Sequence, residues 1–143
     1  LRLGAHPIGT MLWLKHREGI RLRGKPTRVT SVTAEVTDLS RAAKGHACEV
    51  ATGWTDVENW GMCVLNFDDG TRGTAYGSDN MLGWSTPMPD ELWCSGQQGL
   101  LQSVADHLRN DQRSDVDGEL GLEVVRIIYA AYRSAAEGRR ITL

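Results

Sequence analysis

The chain has 143 residues, with 16 lysines and arginines against 18 aspartates and glutamates, a formal net charge of -2. At 41% hydrophobic and 24% charged it has the make-up of one globular domain, and that balance draws it neither to nucleic acid nor to an anionic membrane. No apolar run approaches the roughly 20 residues that span a bilayer, and no basic-then-apolar leader opens it.

The opening LRL reads as the end of a buried strand, so a chain starting at Leu1 is expected to be a fragment or an excised domain. A first helix is predicted from about Pro7 to Glu18. Proline suits the first turn, where its missing N–H costs nothing. Ile8, Met11, Leu12 and the stem of Lys15 form its apolar stripe, and Gly19 is the expected stop just past its end. The basic run KHREGIRLRGKPTR that follows reads as a complement to the helix dipole.

From Thr27 to Leu39 the pattern alternates, with Val32, Ala34 and Val36 on one face, and predicts a half-buried strand. SRAAKGHACEVATGW reads as a loop. Asn59 to Phe67 predicts a second strand with Gly61, Cys63, Leu65 and Phe67 on one face and Trp60, Met62 and Val64 on the other. Asp69-Gly70 marks a hairpin turn into a third strand, Thr71 to Ser78. A strand apolar on both faces implies a sheet covered on both sides. Helices can cover one; a partner subunit is expected on the other.

Residues 82–98 carry no clear pattern. A second helix is predicted from about Gln98 to Asn110, with Leu101, Val104, Ala105 and Leu108 buried. A third has Asp117 as N-cap and Gly138 as its left-handed stop, with Leu122, Val125, Ile128, Ala131, Tyr132 and Ala135 as the buried stripe. The closing ITL reads as a short edge strand. Helix, strands, then two helices make an α+β domain, an open sheet with helices on one face.

Cys48, Cys63 and Cys94 are widely spaced, odd in number and without a CxxC pair. This argues against a disulfide framework or a zinc knuckle and fits a reduced cytoplasmic compartment. GxGxxG, P-loop, HExxH and GxSxG motifs are all missing, which removes nucleotide binding and the common hydrolases as activities of these residues. No metal site is expected. His16 lies among charges, His46 in a loop, and His107 off its helix's apolar stripe; all three read as surface residues. His6 differs by its place at the mouth of a helix. There an imidazole can accept a hydroxyl proton or donate to a carbonyl, or it can simply cap the helix.

G-x-H-P opening a helix, the FxDGTxG hairpin and the closing GLEVVRIIYAAYRSAAEGRRITL together resemble the C-terminal domain of the glucose–fructose oxidoreductase / inositol dehydrogenase / rhizopine-catabolism (Gfo/Idh/MocA) family. The resemblance runs nearly end to end, except around residues 82–98. It implies a mixed, largely antiparallel open sheet of the kind in the second domain of dihydrodipicolinate reductase. It also implies NAD or NADP held mainly by a preceding Rossmann domain that these residues do not include.

In that family a D-x-G-x-H motif supplies a histidine for proton transfer with the substrate hydroxyl. The matching positions here are Arg2, Gly4 and His6, so the resemblance assigns His6 the catalytic role. Arginine replaces the aspartate and cannot act as a base. Arg2 is instead expected to bind the substrate, as a bidentate partner for a carboxylate or phosphate. The expected whole is the substrate-binding and oligomerisation domain of an oxidoreductase acting on a sugar, polyol or related hydroxy or keto compound. The alternative is a non-catalytic binding or dimerisation module that has lost redox function.

Overall fold

The computed structural model describes residues 5–38, 58, 60–78, 97–114 and 116–143. In chain order these form α1 (Ala5–Arg23), β1 (Val29–Thr37), β2 (Trp60–Phe67), β3 (Arg72–Ser78), α2 (Gln97–Arg109), α3 (Gly118–Glu137) and β4 (Ile141–Thr142). The strands make one open sheet in the order β3-β2-β1-β4, and every described pair is antiparallel. Residues 40–54 and 82–96, and with them His46, Cys48 and Cys94, lie outside the described residues, as does Arg2.

Side chains alternate along β2 as its sequence requires. Gly61, Cys63, Leu65 and Phe67 are buried, while Met62 is exposed on the other face. On β1 a bulge between Val29 and Ser31 shifts the register, so Val29 shares the buried face with Val32 and Ala34. The turn after β2 closes with Phe67 N–H donating to the Thr71 carbonyl and with Gly70 at φ 83°. That left-handed residue completes a three-residue hairpin loop.

α1 and α3 lie on the buried face. Ile8 and Leu12, one turn apart on α1, are fully buried against the sheet, each worth roughly 1.5–3 kcal/mol of apolar burial. Helix α1 outruns its expected end. Gly19 lies inside it and is buried, while the left-handed residue is Gly24, at φ 70°, with its N–H donating to the Ile20 carbonyl. Gly19 serves closeness instead: a Cβ there would stand 2.4 Å from the Thr27 nitrogen and 2.7 Å from the Lys25 carbonyl oxygen.

Helix α3 has the expected ends. The Asp117 carboxylate accepts from the Leu120 N–H at 3.0 Å and Gly138 sits at φ 63°. Its buried stripe is rotated from the expected one. Leu120, Ile127, Ala130, Ala131 and Ser134 are buried, while Leu122 is 50% exposed and Val125 and Tyr132 are exposed too. Ser134 explains part of the choice: its hydroxyl accepts from Ala34 N–H at 3.0 Å and donates to the Arg139 carbonyl at 2.7 Å. A buried strand N–H needs such a partner. On α2, Leu101 and Leu108 are 71% and 75% exposed rather than buried, and only Val104 and Ala105 of the expected stripe are half-buried.

The outer face of the sheet carries Met62 and Tyr76, both exposed, with Tyr76 meeting Trp60 edge to face at 6.1 Å. No described helix covers it. No described helix is long and apolar enough to cross a membrane.

Candidate functional site

His6 is exposed, on the first turn of α1 and inside the helix rather than ahead of it as a cap. Gly9, Thr10 and Trp13 follow at three, four and seven residues, the spacing that puts them on one helix face. Opposite them stands the start of α3 with Val116, Leu120, Gly121 and Val124, and Leu100 of α2 closes one side. The space between is a cavity of about 400 Å³ with His6 in its wall. Asp117 also borders it, its carboxylate held by the Leu120 N–H and by Arg113 at 2.5 Å. Those donors, the Leu120 amide first, hold its pKa below the usual carboxylate range.

Beyond Trp13, whose ring lies 5.1 Å from the Arg17 guanidinium, a larger groove of about 870 Å³ runs between α1 and the start of α3. Its charged walls are largely satisfied among themselves. Arg113 meets Glu119 at 2.8 Å as well as Asp117, and Arg28 meets Glu123 at 2.5 Å. It is a rim of ion pairs, and exposed pairs of this kind add little. The smaller cavity, with its apolar walls and an imidazole at its edge, is the better candidate for chemistry.

His16 is not the surface residue its charged neighbours suggest. Its side chain is 16% exposed, with Nε2 3.1 Å from a Glu123 carboxylate oxygen but without the alignment of a hydrogen bond. Burial pushes its pKa below the ordinary histidine value; Arg28, on the same carboxylate, pushes the same way, while Glu123 and Asp117 oppose. Protonation is therefore easier in the unfolded chain than in the fold. The sign follows: stability is full above about pH 6.5 and declines as pH falls below it. Thermal melts between about pH 7.5 and pH 5 should show a steeper fall in Tm for the unsubstituted chain than for His16→Gln. Equal slopes would remove His16 from this role.

His107, expected to face solvent, is half-buried, with Nδ1 2.7 Å from the Ser103 carbonyl of its own helix. Cys63 is buried and its thiol pKa is pushed up by that burial. Lys15 sets its ammonium 5.6 Å from the centre of the Phe67 ring and pairs with Asp69 at 2.8 Å and with Glu18, which holds the hairpin turn to α1. Among the described residues no group of three His, Cys, Asp or Glu could hold a metal ion. No glycine-rich turn leads from a strand into a helix there, and no strand pair is parallel. The described residues thus do not fit the pyrophosphate site of a dinucleotide.

No family model and no curated protein sequence matches the chain. Solved structures do. GenD2 from gentamicin A biosynthesis, in complex with NAD, aligns at TM-score 0.62 and 20% identity over 81% of this chain and 42% of its own. The WlbA dehydrogenase from Bordetella pertussis, in complex with NADH and UDP-GlcNAcA, aligns at 0.61 and 18%, over 97% and 46%. Aldose-aldose oxidoreductase from Caulobacter crescentus, complexed with glycerol, aligns at 0.56 and 17%, over 92% and 46%. The chain has the fold of the C-terminal domain of Gfo/Idh/MocA-type oxidoreductases. It spans less than half the length of these three.

Gly9, Thr10, Trp13 and Gly121 were not legible as site residues. The signal that finds three of them is helical spacing from His6; Gly121 needs the packing of α3 on α1.

Proposed function

We propose that the chain is the substrate-binding domain of an NAD(P)-dependent oxidoreductase acting on a sugar, polyol or related hydroxy or keto compound. The observation that carries this is an exposed imidazole at the edge of an open, largely apolar cavity, in a fold shared with proteins crystallised with NAD or NADH. A nicotinamide cofactor, when bound, supplies the hydride acceptor or donor. In this reading NAD or NADP is held mainly by a Rossmann domain that precedes this chain in a longer cytoplasmic polypeptide.

His6 takes the hydroxyl proton as an alcohol becomes a carbonyl, and returns it in the reverse direction. Its place on the first turn of a helix anchored by Ile8 and Leu12 supports this role. Arg2 stands four residues before it in the sequence and serves as an anchor for a substrate carboxylate or phosphate. The test is NADH formation by the full polypeptide across a panel of sugars and polyols. Turnover with at least one of them is expected; none with any, under either cofactor, removes the reading.

The outer face of the sheet supports self-association, since monomers seldom expose apolar patches of the kind that Met62 and Tyr76 begin. Met62→Glu with Val64→Glu should turn a dimer into a monomer in light scattering. A chain that is monomeric before substitution removes this part.

A further inference from the structure

We propose that the cavity beside His6 is a subsite for an uncharged, largely hydrocarbon part of the substrate, next to the hydroxyl that reacts. The inference rests on the reading of His6 as the proton-transfer residue and adds what kind of molecule it acts on.

Two helix positions on the cavity wall, Gly9 and the exposed Gly121, lack side chains. At Gly121 a Cβ would meet nothing within 4 Å, and at Gly9 it would only touch Val124, at 3.7 Å. Glycine inside a helix is less favourable than alanine, and neither φ here is left-handed. Backbone conformation therefore does not ask for glycine at either place. Open space does.

The walls are mostly apolar, and no lysine or arginine is among the described lining residues. The ionic group on the wall is the Asp117 carboxylate, which repels a phosphate or carboxylate. The polar groups at the other end are His6 and Thr10, one turn apart. A site of a few hundred cubic ångströms, apolar but for Asp117 on one wall and the His6–Thr10 edge, suits a small molecule with a hydroxyl head and a hydrocarbon body. The cations of the neighbouring groove lie past Trp13 and are engaged with Glu119, Asp117 and Glu123. They leave no cation among this cavity's described lining residues.

Amide NMR titrations with cyclohexanol and with glycerol, on the chain and on the full polypeptide, test it. Cyclohexanol should give saturable shifts at the Gly9, Thr10 and Gly121 amides in both, and glycerol at the same concentration should give none. Gly121→Leu, which projects into open space on a helix, should weaken cyclohexanol about tenfold or more, as expected when two methylene-sized contacts are blocked. Gly121→Ala should weaken it less. Shifts that survive Gly121→Leu unchanged, glycerol binding as well as cyclohexanol, or shifts lost in the full polypeptide would each overturn the subsite. Turnover of His6→Ala is a separate readout, so the proton role and the subsite can fail independently.

Discussion

His6→Ala in the full polypeptide is expected to lower kcat by about 10²–10⁴-fold, the usual worth of a positioned general acid or base. The loss should appear equally in kcat/KM, because the proton moves only as the transition state is reached. Stability should hold within about 0.5 kcal/mol, since the side chain is exposed and away from the core. The pairing of those two results separates chemistry from structure. A variant with full turnover and a much lower melting temperature would mean that the imidazole merely supports the first turn of α1. Steady-state kinetics and thermal melts on the same preparation give both numbers.

Gly19→Ala should be strongly destabilising. The added carbon would lie 2.4 Å from the Thr27 nitrogen, 2.5 Å from its Oγ1 and 2.7 Å from the Lys25 carbonyl. Two of the three are backbone atoms, which cannot swing aside as a flexible side chain can. Either α1 lifts or the segment leading into β1 moves, and Thr27, fully buried, loses its fit. Overpacking typically costs 1–3 kcal/mol, and about 3 kcal/mol is expected here because the contacts are with backbone. Alanine's better helix propensity recovers at most about 1 kcal/mol. Denaturant unfolding should show a lower midpoint at unchanged slope. A midpoint equal to that of the unsubstituted chain would mean that α1 ends before Gly19 in solution.

The same glycine marks where sequence patterns stop informing. A glycine after an amphipathic run signals a helix stop or a close approach, and only the packing of Thr27 against α1 distinguishes them. The β2 pattern was legible because a period of two admits one answer: Cys63, Leu65 and Phe67 share a face whatever lies above it. Helix α3 carries two apolar stripes, one through Leu120 and Ile127 and one through Leu122 and Val125. Periodicity does not say which meets the sheet. The Ser134 hydroxyl, which satisfies the Ala34 amide, is a contact across 100 residues that no local pattern contains. His16 was hidden in the same way, its partner Glu123 coming from another helix. At the candidate site, His6 stands out in the sequence by its place at a helix start, whereas the cavity beside it also takes residues of α3 that no local pattern brings to α1.

Calorimetric titration of NADH and NADPH into the 143-residue chain and into the full polypeptide that carries it bears most directly on the central reading. One of the two cofactors should bind the full polypeptide and neither should bind the chain alone, because the described residues hold no site for a dinucleotide's pyrophosphate. Micromolar binding to the chain by itself, or no binding by the full polypeptide, would contradict the assignment of this domain as the substrate half of a nicotinamide oxidoreductase.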